Sequence, residues 1–312
     1  LSCLTVGNHK LIELALPFRV NWTVDTLAPS EKLFLDRHLL KKLVTVGQVL
    51  VTLNVLSALV ATAAQASLNF GGTSFSPGST VEANVPLSAQ EKSLAAQGGN
   101  PVPAYALAVL ATPSNFDPTK SWPVLIPCST SDFKRQNRDD LKQFYRRVAL
   151  AEGWVVLAGD GPQHAKNDTA AWRAAMTMAA IAALHHSFPG SEKWPMACAG
   201  FSGGGKGVGY VAPCLARNGS HIIGIYMTGA NEDHLSDGYA RCQPGAGFLN
   251  TPIYIAAGHE DRIATLEQQY DVAGSIKRTG FNRVKIGTFR GEHEVNDPQT
   301  SIALRWFREL AK

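Results

Sequence analysis

From residue 105 onward, short apolar runs alternate with longer segments whose apolar residues recur at helical spacing. Tyr105 to Ala111 is the first such run, closed by Thr112-Pro113, and Pro123 to Pro127 is the second. Trp154 to Ala158 is the third and ends in the breaker cluster Gly159-Asp160-Gly161-Pro162. Met196 to Gly200, Ile222 to Met227, Pro252 to Ala257 and Val284 to Phe289 read as further strands. Between the runs, Arg138 to Glu152 places Leu141, Phe144, Tyr145 and Val148 on one helical face. A long helix is predicted over Ala170 to Ser187, with Asp168 or Thr169 as its cap. Gly204 to Leu215, Ala264 to Arg278 and Pro298 to Leu310 supply the remaining helices.

Strands that alternate with helices predict an α/β fold with a mainly parallel central sheet and helices on both faces. Residues 67–100, rich in Gly, Ser, Pro and Asn, predict an extended lead-in with one short strand near Thr80 to Val85. No internal repeat or linker divides the body, so residues 67–312 are expected to form one catalytic domain.

The front of the chain follows a different pattern. Lys41 and Lys42 precede an apolar stretch from Leu43 to about Ala61, weakened by Gly47, Gln48 and Asn54. Ala64-Gln65-Ala66 then offers small residues in the A-x-A arrangement. Together, residues from about 39 to 66 have the layout of a secretory signal whose removal would leave Ser67 first. A membrane anchor is the competing reading, because the run nearly reaches spanning length, and a core helix is a third. Some forty residues precede this segment and the chain opens on Leu, which an upstream extension ahead of a start near Leu39 or Leu40 would explain. Residues 1–66 are therefore set apart as a leader. The expectation is an exported protein, periplasmic or extracellular and bacterial, without stable membrane association once the signal is cut.

The chain has 312 residues, of which 45% are hydrophobic and 17% charged, a balance that suits a globular core and excludes a disordered chain. Its net charge of +4 is spread out, and small clusters such as Arg146-Arg147 read as solvated helix faces. No basic stripe with interleaved aromatics appears, so no nucleic-acid partner is expected. Of five cysteines, Cys3 falls in the leader. Export would permit disulfides among Cys128, Cys198, Cys214 and Cys242. Cys198, inside an apolar run, reads as a small buried hydrophobe. Cys214 and Cys242 are the better pairing candidates, since both lie near predicted element ends. No CxxC or HExxH spacing occurs, and no metal or cofactor is expected.

The chemistry concentrates at Gly200-Phe201-Ser202-Gly203-Gly204, a G-x-S-x-G pattern set between an apolar strand and a helix. A strand that turns at once into a helix while presenting one hydroxyl needs flanking glycines, because a Cβ there would clash. The rival is a phosphate-binding turn: Gly200 to Lys206 fits the G-x-x-x-x-G-K part of a P-loop. Gly207, however, stands where the magnesium-binding Ser or Thr should be, and the turn falls late in the domain.

A nucleophilic serine needs a base oriented by an acid, in the chain order Ser, Asp or Glu, His. Asp261, in Gly258-His259-Glu260-Asp261 after a predicted strand, is the candidate acid. Glu260 is the fallback, and Asp233 and Asp237 compete from the preceding strand. His293, between the last strand and the last helix, is the candidate base. His234 and His259 read as loop residues and His185-His186 as a helix end. An oxyanion hole would use the backbone N–H of Gly203 and a second N–H from Cys128 or Ser129, with Ser129 preferred.

These residues resemble the α/β-hydrolase superfamily, especially secreted bacterial esterases similar to polyhydroxybutyrate-depolymerase-like and feruloyl-esterase-like proteins. The resemblance runs from Tyr105 to the C-terminus and rests on the Ser202 elbow, on Gly258-His259-Glu260-Asp261 and on Gly291-Glu292-His293. It implies an acyl-serine intermediate, no cofactor, and a small-molecule or polymer-derived ester as substrate. Carried over, Ser202 is the nucleophile, His293 the general base and acid, and Asp261 the orienting carboxylate. Many relatives carry a His-Gly pair after the third strand, where this chain has Pro127-Cys128-Ser129-Thr130. A peptidase on the same fold and a non-catalytic binding protein are the alternative readings. Ala230 to Asn250, the longest irregular stretch after the serine, is expected to border the pocket. Trp172 and Tyr239 are candidate lining residues, although aromatics at such spacing are more often packing.

Overall fold

The runs at Val124, Val155, Ile222 and Ile253 become strands buried on both faces, which leaves no polar alternation to write into the sequence, whereas Val284 to Phe289 is only half buried. The computed structural model describes residues 67–312 apart from 98, 131–134, 164–166 and 168. The leader, its signal segment and Asp168 lie outside the described residues.

A small antiparallel hairpin of β1 (Leu68–Phe70) and β2 (Thr73–Phe75) comes first. β3 (Thr80–Val85), α1 (Ala89–Ala96), β4 (Ala106–Ala111) and β5 (Val124–Cys128) follow. α2 spans 137–151 and contains a π-helical stretch at Leu141–Tyr145. Next come β6 (Val155–Asp160), α3 (Ala170–Ser187), β7 (Met196–Phe201) and α4 (Gly203–Arg217). The rest is β8 (Ile222–Thr228), α5 (Leu235–Cys242), β9 (Ile253–Gly258), α6 (Leu266–Thr279), β10 (Val284–Phe289) and α7 (Asp297–Leu310).

The main sheet has eight strands in the order β10-β9-β8-β7-β5-β6-β4-β3. From β10 to β6 in that order every neighbouring pair is parallel, whereas β4 runs antiparallel to both β6 and β3. Successive residues of one strand divide between two apolar layers. Val124, Ile126, Cys198, Ile225 and Ile255 join one layer with residues of α3, α4 and α6. Leu125, Ala197, Tyr226 and Tyr254 join the other with residues of α2 and α7. This is the helix-covered sheet expected of the alternating pattern.

The differences from expectation have local causes. β6 continues through Gly159 and Asp160 because those residues still pair with Ala108 and Leu107 of β4. α1 is short and half polar, yet it is opened by a capping box in which Ser88 and Glu91 exchange hydrogen bonds with each other's backbone. The stretch expected to be irregular, 230–250, contains α5 and a 3₁₀ turn at Ala246–Asn250. Thr169 caps α3 by accepting from the Trp172 N–H. Trp172 and Tyr239 pack into the first apolar layer.

Cys198 is buried, as is Cys128, and burial pushes the Cys128 thiol up to about 12. Cys214 of α4 and Cys242 at the end of α5 place their sulfurs 2.9 Å apart. Incubating the folded protein with oxidised glutathione should join them, and thiol titration after unfolding should then find two fewer thiols. Closing this 28-residue separation should raise the unfolding free energy by about 3 kcal/mol, and Cys214→Ser should abolish the gain. A thiol count that stays unchanged would refute the pairing.

Candidate active site

β7 ends at Phe201, and Ser202 makes the turn into α4 with φ 56° and ψ −122°. A non-glycine residue with positive φ is strained, and the surroundings must hold it there. They do so through hydrogen bonds: the Ser202 N–H donates to Thr228 O at 2.9 Å, and Ser202 O accepts from the Lys206 N–H at 3.2 Å. The flanking glycines meet a steric demand. A Cβ on Gly200 would lie 2.1 Å from Gly204 O, and one on Gly204 would lie 2.1 Å from Cys128 O. The elbow and the end of β5 therefore touch backbone to backbone.

Asp261 follows β9 and is buried. Its Oδ1 accepts from the N–H groups of Ile263 and Ala264, both at 2.8 Å. Its Oδ2 lies 2.8 Å from Nδ1 of His293, which follows β10. One oxygen thus anchors the carboxylate to its loop while the other orients the imidazole. A proton on Nδ1 shared with this carboxylate leaves the Nε2 lone pair free to act as a base. The His293 side chain is 15% exposed and the Asp261 side chain 2%, so the pair is shielded while one edge of the ring stays open. The ring packs 4.7 Å from the ring of Phe201, the residue before Ser202. It also abuts Gly229, where an added Cβ would lie 2.8 Å from His293 Cε1.

The competing carboxylates have other duties. Glu260 is exposed and pairs with Arg290 at 3.4 Å. Asp233 opens α5 by accepting from the N–H groups of Leu235 and Ser236. Asp237 lies on the surface near Tyr210 and Arg241. Among the other histidines, His185 and His186 end α3, His234 precedes α5, and His259 is exposed after β9.

The expected second oxyanion donor requires correction. The Ser129 N–H donates to Asn137 Oδ1 at 2.9 Å, so that donor is already engaged. Thr130 lies beside Gly203 instead: a Cβ on Gly203 would be 2.2 Å from Thr130 Oγ1. This loop is tied down from behind by a buried polar network. Arg173 of α3 donates to Ser129 Oγ at 2.6 Å, Asn137 Oδ1 at 3.0 Å and Thr130 O at 2.9 Å. The Asn137 and Arg138 N–H groups donate to Asp160 at 2.8 and 2.9 Å. Burial pushes the Asp160 carboxyl up to about 6, against the opposing pull of those N–H groups and Arg173. Sequence reasoning missed this network. Its one signal was Arg173, a charged side chain buried in the mostly apolar first half of that helix, where it needs partners.

Among the described residues, no group of three or more His, Cys, Asp or Glu side chains is placed to hold a metal ion, and no helix is long and apolar enough to cross a membrane.

No protein-family model matches the chain, and no curated protein matches it. Solved structures do. Fluorophosphonate-binding serine hydrolase F of Staphylococcus aureus matches at 14% identity over 74% of this chain and 98% of its own, with a TM-score of 0.51. An α/β serine hydrolase homologue from Coxiella burnetii matches at 15% identity over 66% of this chain and 92% of its own, with a TM-score of 0.48. Dipeptidyl peptidase 4 of Porphyromonas gingivalis matches at 14% identity over 75% of this chain but only 35% of its own, with a TM-score of 0.49. The chain thus spans about a third of the length of the dipeptidyl peptidases it matches. The strand order, the antiparallel β4 and the likeness to the staphylococcal hydrolase together show that the described residues have the α/β-hydrolase fold.

Proposed function

We propose that the chain is a serine-dependent carboxylic-ester hydrolase with Ser202, His293 and Asp261 as its triad. The observation that carries this reading is the buried Asp261–His293 hydrogen bond, 2.8 Å long, on a ring packed against the residue preceding the strained Ser202. Ser202 Oγ attacks the ester carbonyl while His293 Nε2 takes its proton. The Gly203 N–H receives the developing oxyanion, and Thr130, which lies against Gly203, is the proposed source of the second N–H. A donor of this kind lowers the barrier by about 3 kcal/mol, because it is aimed at charge that exists only in the transition state. His293 then returns the proton to the departing alkoxide, leaving an acyl-serine. Water, activated by the same imidazole, attacks that carbonyl and releases the acid. No cofactor enters this scheme. Export by the leader remains part of the proposal, and the Cys214–Cys242 pair would suit an oxidising compartment.

Labelling tests the reading directly. A fluorophosphonate probe should modify the folded protein once, and peptide mapping should place the adduct on Ser202. A folded protein that stays unlabelled would sink the assignment and favour a binding protein that keeps the hydrolase fold.

A further inference from the structure

The lysine of the G-x-x-x-x-G-K match, Lys206, is not used by the triad. It stands one turn into α4, and its side chain faces a pocket of about 260 Å³ next to the proposed oxyanion site. Among the described residues the pocket walls include Ser129, Arg173, Gly203, Lys206, Tyr210 and His234. Two of these carry fixed positive charge, and none of them is acidic. A volume of this size is small beside the ~300–1,000 Å³ of pockets that enclose a whole drug-sized ligand, so it suits one substituent of the substrate.

The charges near the pocket are unequal. Glu232 lies 3.6 Å from Lys206 Nζ and 3.1 Å from His234 Nε2, but its side chain is 60% exposed. An ion pair of that length in contact with solvent is weak and screened. The Lys206 side chain is only 28% exposed, and a ligand anion in the pocket would meet it with less intervening water. Arg173 holds its guanidinium in the same wall while it ties down Ser129 and Thr130. Asp140 and Asp160 act on Arg173, Asp237 meets the Tyr210 hydroxyl at 3.3 Å, and Asp233 also acts on that tyrosine.

We propose that this pocket binds a carboxylate carried by the part of the substrate that is not cleaved, so that the preferred esters are acidic ones. The proposal rests on Ser202 as nucleophile, which places the pocket beside the reacting carbonyl. The carboxylate can belong to the acyl chain or to the alcohol, and two substrate pairs distinguish these. Monoethyl glutarate against ethyl pentanoate tests the acyl side. 4-Acetoxybenzoate against its methyl ester tests the alcohol side.

Steady-state hydrolysis by the full chain should show the charged member of one pair ahead in kcat/KM by roughly tenfold, mainly through KM, and less so at high salt. Lys206→Met should bring that ratio close to one, and Lys206→Arg should restore most of it. A neutral preference in both pairs, or a charged preference that survives Lys206→Met, would overturn the pocket assignment. A protein labelled at Ser202 but indifferent to substrate charge sinks only the pocket. A folded protein that neither hydrolyses any of the four esters nor takes the fluorophosphonate sinks the nucleophile and the pocket together.

Discussion

A Ser202→Ala protein should fold like its parent and hydrolyse p-nitrophenyl butyrate at least ~10⁴-fold more slowly. The substitution removes only the hydroxyl. The Cβ stays, so the residue remains a non-glycine at φ 56° and the elbow keeps its strain. The hydrogen bonds that hold the turn come from the backbone of Ser202, to Thr228 O and from Lys206, and alanine keeps both. A thermal midpoint within a few degrees of the parent is therefore expected. What remains active after the substitution reports the oxyanion site and binding alone. Circular dichroism and initial rates, measured on the same preparation, check both halves. Activity that persists at the parental level would mean that another group is the nucleophile.

Asp261→Asn should lower kcat by about 10⁴ with KM little changed. The carboxamide oxygen can still accept from the Ile263 and Ala264 N–H groups, so the loop keeps its anchor. The other side-chain position becomes an NH₂ donor facing His293 Nδ1. Nδ1 must then act as acceptor, which moves the ring proton to Nε2 and removes the base that Ser202 requires. The defect lies in proton placement rather than in folding, so thermal stability should be nearly preserved. Glu260→Gln serves as the control and should stay near the parental rate, since Glu260 is exposed and engaged with Arg290. A loss of less than tenfold in Asp261→Asn, or an equal loss in Glu260→Gln, would remove Asp261 from its proposed role.

The central strands were legible because burial on both faces writes continuous apolar runs. Thr80–Val85 and Val284–Phe289 match their predicted bounds, and the other predicted strands shift by one or two residues. The elbow was legible because only glycine tolerates the backbone approaches at Gly200 and Gly204. Asp261 and His293, which the structure brings to hydrogen-bonding distance, could be proposed because the chain order places their loops after the strands that follow the serine. α5 escaped notice because its apolar face is only three residues long, Leu235, Tyr239 and Cys242, in a helix of eight that also contains Gly238. The role of the Ser129 N–H was beyond reach for a different reason. It depends on Asn137, a residue eight positions on whose side chain turns back into the loop. Side-chain hydrogen bonds that cross between elements leave no periodic trace.

The site's components sit at unequal depths in the sheet. The elbow and the Thr130 loop follow β7 and β5, which lie side by side in the middle of the sheet. The His293 loop follows β10, one of the two edge strands, whose residues are mostly only half buried. Edge elements open at lower free energy than the centre. The proposed base is therefore carried next to one edge of the sheet, and the proposed nucleophile at its centre. On warming, the Asp261–His293 pair should come apart before the core melts, so the proposed ester hydrolysis should be lost at a lower temperature than the fold.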